Sequence, residues 1–371
     1  MKSEERLDLG MLATFVPNKQ LPVYNWFYFK EGFSRDLVML LLDRYGSEGN
    51  VNVLDPFVGS GTTLAACRER GLDSYGFDTS PLAILASRAK TNDYNPEELK
   101  LAIKGLSKSK FQRQDIKALP GNVRRFFNPH TLEDVLFFRK QIREYKGETG
   151  DFLKLGLITS TTRCSWMYKD GAVLKLRKKP VPVFRKFFIR TLRNMLRDLQ
   201  RVEFKQSQVF VDEGDARSLK IDSEFIDLVI TSPPYLNKIE YTKIYGVEEF
   251  LFFGGEGRPG IRSYMGLDAD AEQQFPGMDL PPAANAYFKD MKRVLSELKR
   301  VCKPGAVLAF VIGDGCFPQG VVHCDTLLPK LAEGLGFRTE KVCTLNRRIC
   351  TRERTIKVGR MEESLIVLSR A

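Results

Sequence analysis

Histidine is almost missing from this chain. Only His130 and His323 occur in 371 residues. They stand far apart, so a metal centre is not expected, and each reads as an ordinary surface or core side chain. Cysteine is sparse and without pattern: seven residues, an odd number, and no C-x-x-C pair. That argues against a zinc site and fits thiols in a reducing cytosol better than a disulfide framework. No apolar run approaches the ~18–20 residues that span a bilayer; the longest, near 37–42 and 306–312, read as core segments. The opening MKSEERLDLG lacks the hydrophobic stretch of a secretory signal. A membrane-spanning, secreted or disulfide-stapled protein is therefore not expected. The cytoplasm is the expected location.

What is present is ample apolar material and a basic surplus. Hydrophobic residues make up 43%, with 26 Phe, enough for a sizeable core and against disorder. The length fits one large α/β unit or two domains. Fifty-eight Lys and Arg against 46 Asp and Glu give +12 and a pI near 9.3. A polyanionic partner would account for such an excess.

Strand and helix patterns alternate at the start of the chain. Residues 52–57, NVLDPF, read as a short buried strand running into VGSGTT and a helix closed by Gly71. A second strand at 74–78 leads to a helix opened by Ser80-Pro81, a cap followed by a first-turn proline. Such a βαβα unit implies a parallel sheet with helices on its faces. From about 95 to 206 the chain reads as helices and loops with no alternating strand. Strands resume at 207–215, 225–234, 306–314, 337–345 and 364–369. Helices fall near 284–302, closed by Lys303-Pro304-Gly305, and near 325–335. The expectation is one doubly wound α/β sheet of seven strands with a helical insertion. Its parts are an N-terminal segment and first half-sheet (1–95), a basic helical insertion suited to substrate recognition (96–206), and a second half-sheet (207–371).

Two motifs carry chemistry. DPFVGSGTT, 55–63, sits at the carboxyl end of the first strand, where open sheets bind ligands against a helix N-terminus. Its spacing is neither G-x-G-x-x-G nor G-x-x-x-x-G-K-[ST], which weakens NAD and ATP readings. Asp78, ending the second strand, could accept from ribose hydroxyls. The second motif is the TSPPY of 231–235, directly after a buried strand. Two prolines remove N–H donors and stiffen the backbone, leaving fixed carbonyl acceptors. A hydroxyl, those carbonyls and an aromatic ring suit a planar base with an exocyclic amine. A cytosine-C5 chemistry would require a Pro-Cys here, and none of the seven cysteines occupies that place.

The pair DPFVGSGTT and SPPY resembles the S-adenosylmethionine-dependent amino-methyltransferases that modify exocyclic amines of nucleic-acid bases. The SPPY form is closer to the cytosine-N4 branch than to the adenine-N6 branch. The likeness covers roughly 17–95 and 207–371. The motif order differs from most cytosine-N4 enzymes, in which the catalytic motif comes first. The resemblance implies a Rossmann-like class I methyltransferase fold. It also implies S-adenosyl-L-methionine as cofactor, with Asp55 at the methionine amino group and Phe57, Gly59 and Gly61 shaping its pocket. Thr62 and Thr63 would bond the carboxylate, Asp78 the ribose, Pro81 or Leu82 would cover the adenine, and Asp215 would accept from the adenine amine. In the segment PVYNWFYFKEGFSRDLV, Lys30, Phe33 and Ser34 are further cofactor candidates. Ser232, Pro233, Pro234 and Tyr235 would carry the target base.

A base within a duplex cannot reach such a cradle, so the target would be flipped out or unpaired. Two basic stretches suit phosphates. Arg190, Arg193 and Arg197 form a row beside an apolar helical stripe, preceded by Lys175, Arg177, Lys178 and Lys179. Arg347, Arg348, Arg352 and Arg354 fall in a segment, 346–360, that reads as a loop at the catalytic edge. The expected substrate is cytosine in DNA or in structured RNA, with DNA favoured. Adenine N6 and an inactive nucleic-acid-binding scaffold are more remote, and the intact motifs argue against the latter. No membrane or obligate protein partner is expected.

Overall fold

The computed structural model describes residues 4–46, 51–170, 173–236, 241–254, 265–266, 271–352 and 356–371. Its strands in chain order are β1 (Glu4–Glu5), β2 (Val53–Asp55), β3 (Ser74–Asp78), β4 (Met167–Asp170), β5 (Val173–Leu176) and β6 (Val209–Glu213). They continue with β7 (Ile226–Thr231), β8 (Cys302–Gly313), β9 (Gly315–Phe317), β10 (Gly320–Val322), β11 (Phe337–Arg352) and β12 (Ile356–Arg370). Eight of them make one sheet in the order β1-β11-β12-β8-β7-β2-β3-β6. Strands β6, β3, β2, β7 and β8 run parallel, and β12 is antiparallel to both β8 and β11. This is the expected doubly wound α/β sheet. The eighth strand is the two-residue β1 on the edge of β11, too short to leave a periodic signal.

The chain builds outward from β2 through β3 to β6, then returns to β7 on the other side of β2. The crevice where the order reverses is the ligand-binding position of such sheets. Helix α1 is Arg35–Tyr45, α2 is Thr62–Arg70 and α3 is Pro81–Thr91. Gly71, at φ +75, ends α2 by donating to the carbonyls of Cys67 and Arg68. Ser80 caps α3 by accepting from the Ala83 N–H, with Pro81 in the first turn.

Residues 96–206 contain α4 (Pro96–Lys108), α5 (Gly121–Arg124), α6 (Pro129–Ile142), α7 (Gly147–Arg163) and α8 (Phe184–Asp198). Their apolar faces share one core with α3 and the N-terminal segment: Leu99, Phe138, Phe152, Phe188 and Leu192 pack in the cluster that holds Leu82, Leu85, Trp26 and Phe27. Helix α9 (Tyr241–Phe253) joins the same core through Ile244 and Leu251. Helices α10 (Pro282–Val301) and α11 (Cys324–Glu333) cover the other half of the sheet.

Four expectations are corrected. The insertion is not free of strands, because β4 and β5 pair as an antiparallel hairpin. Its strands are too short, and too exposed, to show an alternating pattern. The segment 346–360 is not a loop, because β11 and β12 pair along its length, from Asn346↔Glu363 to Arg352↔Ile356. Lys303-Pro304-Gly305 does not precede the strand but lies inside β8, at a bulge where the register moves from Ile226↔Cys302 to Leu228↔Val307. Finally, Cys316 and Cys350 are joined as a disulfide between β9 and β11; the other five cysteines are buried thiols. A contact 34 residues apart in sequence is invisible without the paired hairpins. Among the described residues, no helix is long and apolar enough to cross a membrane.

Candidate active site

A cleft opens at the carboxyl ends of β2, β3, β6 and β7. Its empty space is about 1050 Å³, the solvent-open mouth included. Asp55, Phe57, Gly59, Thr62, Asp78, Asp215, Ser232 and Pro234 all line it. Both sequence motifs therefore meet at one site, although 231–235 and 55–63 are far apart in the chain.

Asp55 is the hub between them. It is 2% exposed, and three donors converge on its carboxylate. Thr231 Oγ1 donates to Oδ1 at 2.7 Å, Thr63 Oγ1 to Oδ2 at 2.7 Å, and the Phe57 N–H to Oδ1 at 3.2 Å. Burial nevertheless outweighs these bonds and pushes its pKa up to about 6. Thr63, expected to bond a carboxylate of the ligand, instead directs its hydroxyl at Asp55 and does not line the cleft. Thr62 does line it.

The glycines shape the turn. Gly59 (φ +51) and Gly61 (φ +76) occupy the left-handed region. A Cβ on Gly61 would meet Ser87 Cα at 2.8 Å, so only glycine lets α2 and α3 approach this closely. Asp78 accepts the Gly59 N–H at 3.0 Å and the Ser80 N–H at 2.9 Å. Burial raises its pKa all the same. It thus pins the two ligand-facing turns to each other. Pro81 does not line the cleft; it is the first residue of α3, behind Ser80.

Asp215 lines the cleft, but its carboxylate is held by Arg217 at 2.6–3.1 Å. Burial pushes its pKa up, and the Arg217 bonds more than reverse this, holding it below the usual carboxylate value. Arg217 also bonds Asp290 of α10 at 2.7 Å. Arg217 itself lines the cleft, and no motif in the sequence marks it for that place.

The N-terminal segment supplies a wall, through Phe33 of the three residues singled out and through neighbours of the other two. Lys30 is exposed and Ser34 is buried as the cap of α1; neither lines the cleft. Phe29, Glu31, Gly32 and Phe33 do. Phe29 stacks on Tyr245 of α9 at 5.3 Å and 4°, and the Tyr245 hydroxyl donates to Glu31 Oε2 at 3.1 Å. Glu31 Oε1 is buried with no hydrogen-bond partner among the described residues, and burial raises the Glu31 pKa. The aromatic run NWFYFKEGF is the sequence signal for this wall.

Of the second motif, Ser232 and Pro234 line the cleft and Pro233 is buried beneath them. Tyr235 is outside the lining, its hydroxyl donating to Glu363 Oε1 of β12 at 2.9 Å.

The basic residues divide. Arg190, Arg193 and Arg197 are exposed on α8, away from the cleft lining. Arg347 is engaged internally, with Glu5 at 2.6 Å and Glu362 at 2.8 Å. Arg348 is exposed on β11. Arg354 and the Arg352 side chain lie outside the described residues. His323, read from sequence as an ordinary histidine, stands by Asp314 at 3.0 Å and near Asp325. Asp314 there also accepts from the Cys324 and Glu362 N–H groups, a knot between the end of β8 and its neighbours.

Residues 15–87 match a family model described as DNA methylase. The chain is 26% identical to the Type II methyltransferase M.BsoBI of Geobacillus stearothermophilus, over 91% of this chain and 83% of that one. It is 24% identical to the Type II methyltransferase M.AvaI of Nostoc sp., over 90% and 83%. A solved SAM-dependent methyltransferase from Methanosarcina mazei overlaps it at a TM-score of 0.34 and 11% identity, over 89% of this chain and 96% of that one.

The cleft suits S-adenosylmethionine by its own chemistry. Glu31, in the cleft lining, keeps one buried carboxylate oxygen without a donor among the described residues, an acceptor that suits an ammonium or a ribose hydroxyl. Aromatic rings and glycine turns line the same cleft. By sequence, the chain is similar to DNA methylases along residues 15–87 and to Type II methyltransferases over about nine-tenths of its length.

Proposed function

We propose that the protein methylates the exocyclic N4 amine of cytosine in DNA. The observation that carries this is the position of Ser232-Pro233-Pro234 at the cleft, one residue beyond the Thr231–Asp55 bond that ties it to the glycine turn. The named relatives are Type II methyltransferases, and the basic balance of +12 suits a polyanion. The choice of cytosine rests on the SPPY form.

When bound, the cofactor supplies an electrophilic methyl on a sulfonium. The residues of this chain do the positioning. The amine of cytosine is a weak nucleophile because its lone pair is delocalised into the ring. Ser232 Oγ and the main-chain carbonyls of the proline pair accept its two hydrogens, which favours a pyramidal nitrogen with its lone pair directed at the methyl. Holding the two reactants in line supplies much of the acceleration, and the site requires no cysteine nucleophile. Asp78, Gly59 and Glu31 hold the donor; Asp55 fixes the distance between donor and acceptor loops. Tyr235 packs against the base from beside the cleft. A DNA substrate agrees with the cytoplasmic location expected from the sequence.

The test is incubation with isotopically labelled S-adenosylmethionine and separate DNA and RNA pools, followed by nucleoside mass spectrometry. N4-methyldeoxycytidine is the expected product. N6-methyldeoxyadenosine would overturn the base, and label confined to RNA would overturn the substrate.

A further inference from the structure

We propose that the β4–β5 hairpin is a DNA-gripping finger at the mouth of the cleft. This rests on the DNA reading above and narrows the first basic stretch to Arg177, Lys178 and Lys179, which follow directly on an antiparallel hairpin that the sequence did not show.

The hairpin has two unlike faces. Its register sets Tyr168 opposite Lys175 and Asp170 opposite Val173. Tyr168 is 44% exposed and Val173 54%, so this face is open to solvent. The other face carries buried Met167 and Lys169, whose ammonium pairs with fully buried Glu248 of α9 at 2.9 Å. The same ammonium lies 3.5 Å from the centroid of Tyr245, and Tyr245 and Phe29 are cleft-lining residues. The hairpin is thereby fastened to the cleft wall by its inner face.

The outer face has the chemistry of a sugar-phosphate backbone's complement. Arg177 lies over the Tyr168 ring at 5.4 Å and Lys178 over the Trp166 ring at 5.6 Å, with Lys179 following; all three cations are exposed. Lys175 is balanced by Asp170 at 2.7 Å, which leaves Arg177, Lys178 and Lys179 to meet external anions. Exposed Tyr168 and Val173 offer apolar contact for deoxyribose and base edges beside those charges. A two-stranded ribbon is narrow enough to enter a duplex groove. A protein partner would favour the apolar residues but not three adjacent exposed cations; double-helical DNA satisfies both.

The experiment compares wild type with the triple variant Arg177→Ala/Lys178→Ala/Lys179→Ala. Duplex binding is measured by fluorescence anisotropy from low to physiological salt, and S-adenosylhomocysteine binding by calorimetry. Each lost phosphate contact should lower the log–log salt slope by ~0.9. The triple variant should therefore lose roughly 2–3 in slope and at least tenfold in low-salt affinity, with cofactor-product affinity unchanged. Tyr168→Ala should weaken duplex binding without altering the slope. Wild-type slope and affinity in the triple variant would overturn the proposal, as would an equal loss of cofactor-product binding. A wild-type chain that binds S-adenosylhomocysteine and ignores duplex DNA would refute the DNA reading itself.

Discussion

Asp55 Oδ1 accepts the Thr231 hydroxyl at 2.7 Å, a side-chain bond at the carboxyl ends of two paired strands, one bearing the glycine turn and the other Ser-Pro-Pro-Tyr. Both residues are buried, at 2% and 0% exposure, so water cannot replace either partner. Thr231→Val keeps the shape and removes the donor. Losing a partner to a buried acceptor costs about 1–3 kcal/mol. The expected outcome is a lower denaturation midpoint together with slower methyl transfer, and recovery of both in Thr231→Ser. A valine variant as stable and active as wild type would show that the bond links nothing of consequence.

Asp78 orders two turns through the N–H groups of Gly59 and Ser80. Hydrogen bonds to a charged group are worth about 1.5–3 kcal/mol. Asp78→Ala should accordingly weaken S-adenosylhomocysteine binding by roughly ten- to a hundredfold in calorimetry. Unchanged affinity would remove Asp78 from the cofactor site.

Tyr235 separates anchoring from stacking. Tyr235→Phe keeps the ring and withdraws the hydroxyl from Glu363, whose other oxygen is already buried without a partner among the described residues. Thermal stability should fall while cofactor-product affinity holds. Tyr235→Ala removes the ring as well, and turnover should drop by an amount matching ~1–3 kcal/mol of base stacking. Alanine and phenylalanine variants with equal turnover would exclude stacking.

Lys90 gives a pH signature. It is 1% exposed, its ammonium has no hydrogen-bond partner among the described residues, and burial pushes its pKa from 10.5 to about 7. Below about 7 the side chain is charged in both folded and unfolded chains, and the full desolvation cost is present. Between about 7 and 10.5 the unfolded chain holds the proton that the folded chain has released, so stability from this group rises with pH. Lys90→Met should stabilise the protein at neutral pH, by at most about 1.4 kcal/mol for each pH unit that separates the folded from the unfolded value. It should also flatten the rise above pH 7. Denaturant midpoints at about pH 7 and 9 would check it, and a methionine variant less stable than wild type at neutral pH would contradict it.

The sequence by itself determined the doubly wound α/β class, its main strands and the two motif loops that follow them, whereas the strand order and its reversal beside β2 came with the structure. Local chemistry specifies those features: buried β-runs, left-handed glycines, a Ser-Pro helix start, and a proline pair that removes donors. Tertiary structure decided which side chains face the ligand. Asp55 and Asp78 line the cleft while accepting from buried N–H and hydroxyl donors, and Thr63 turns away from it to donate to Asp55, a choice set by neighbours up to 176 residues away. Glu31 and Phe29, rather than Lys30 and Ser34, form the wall because the chain turns between them and α1 claims Ser34 as its cap. The 346–360 segment became a hairpin because β12 could pair with β8 and β11 at once. The β4–β5 hairpin is not legible in the sequence, although its cations are, because four-residue strands carry too little periodicity and packing on Tyr245 and Glu248 fixes where they stand.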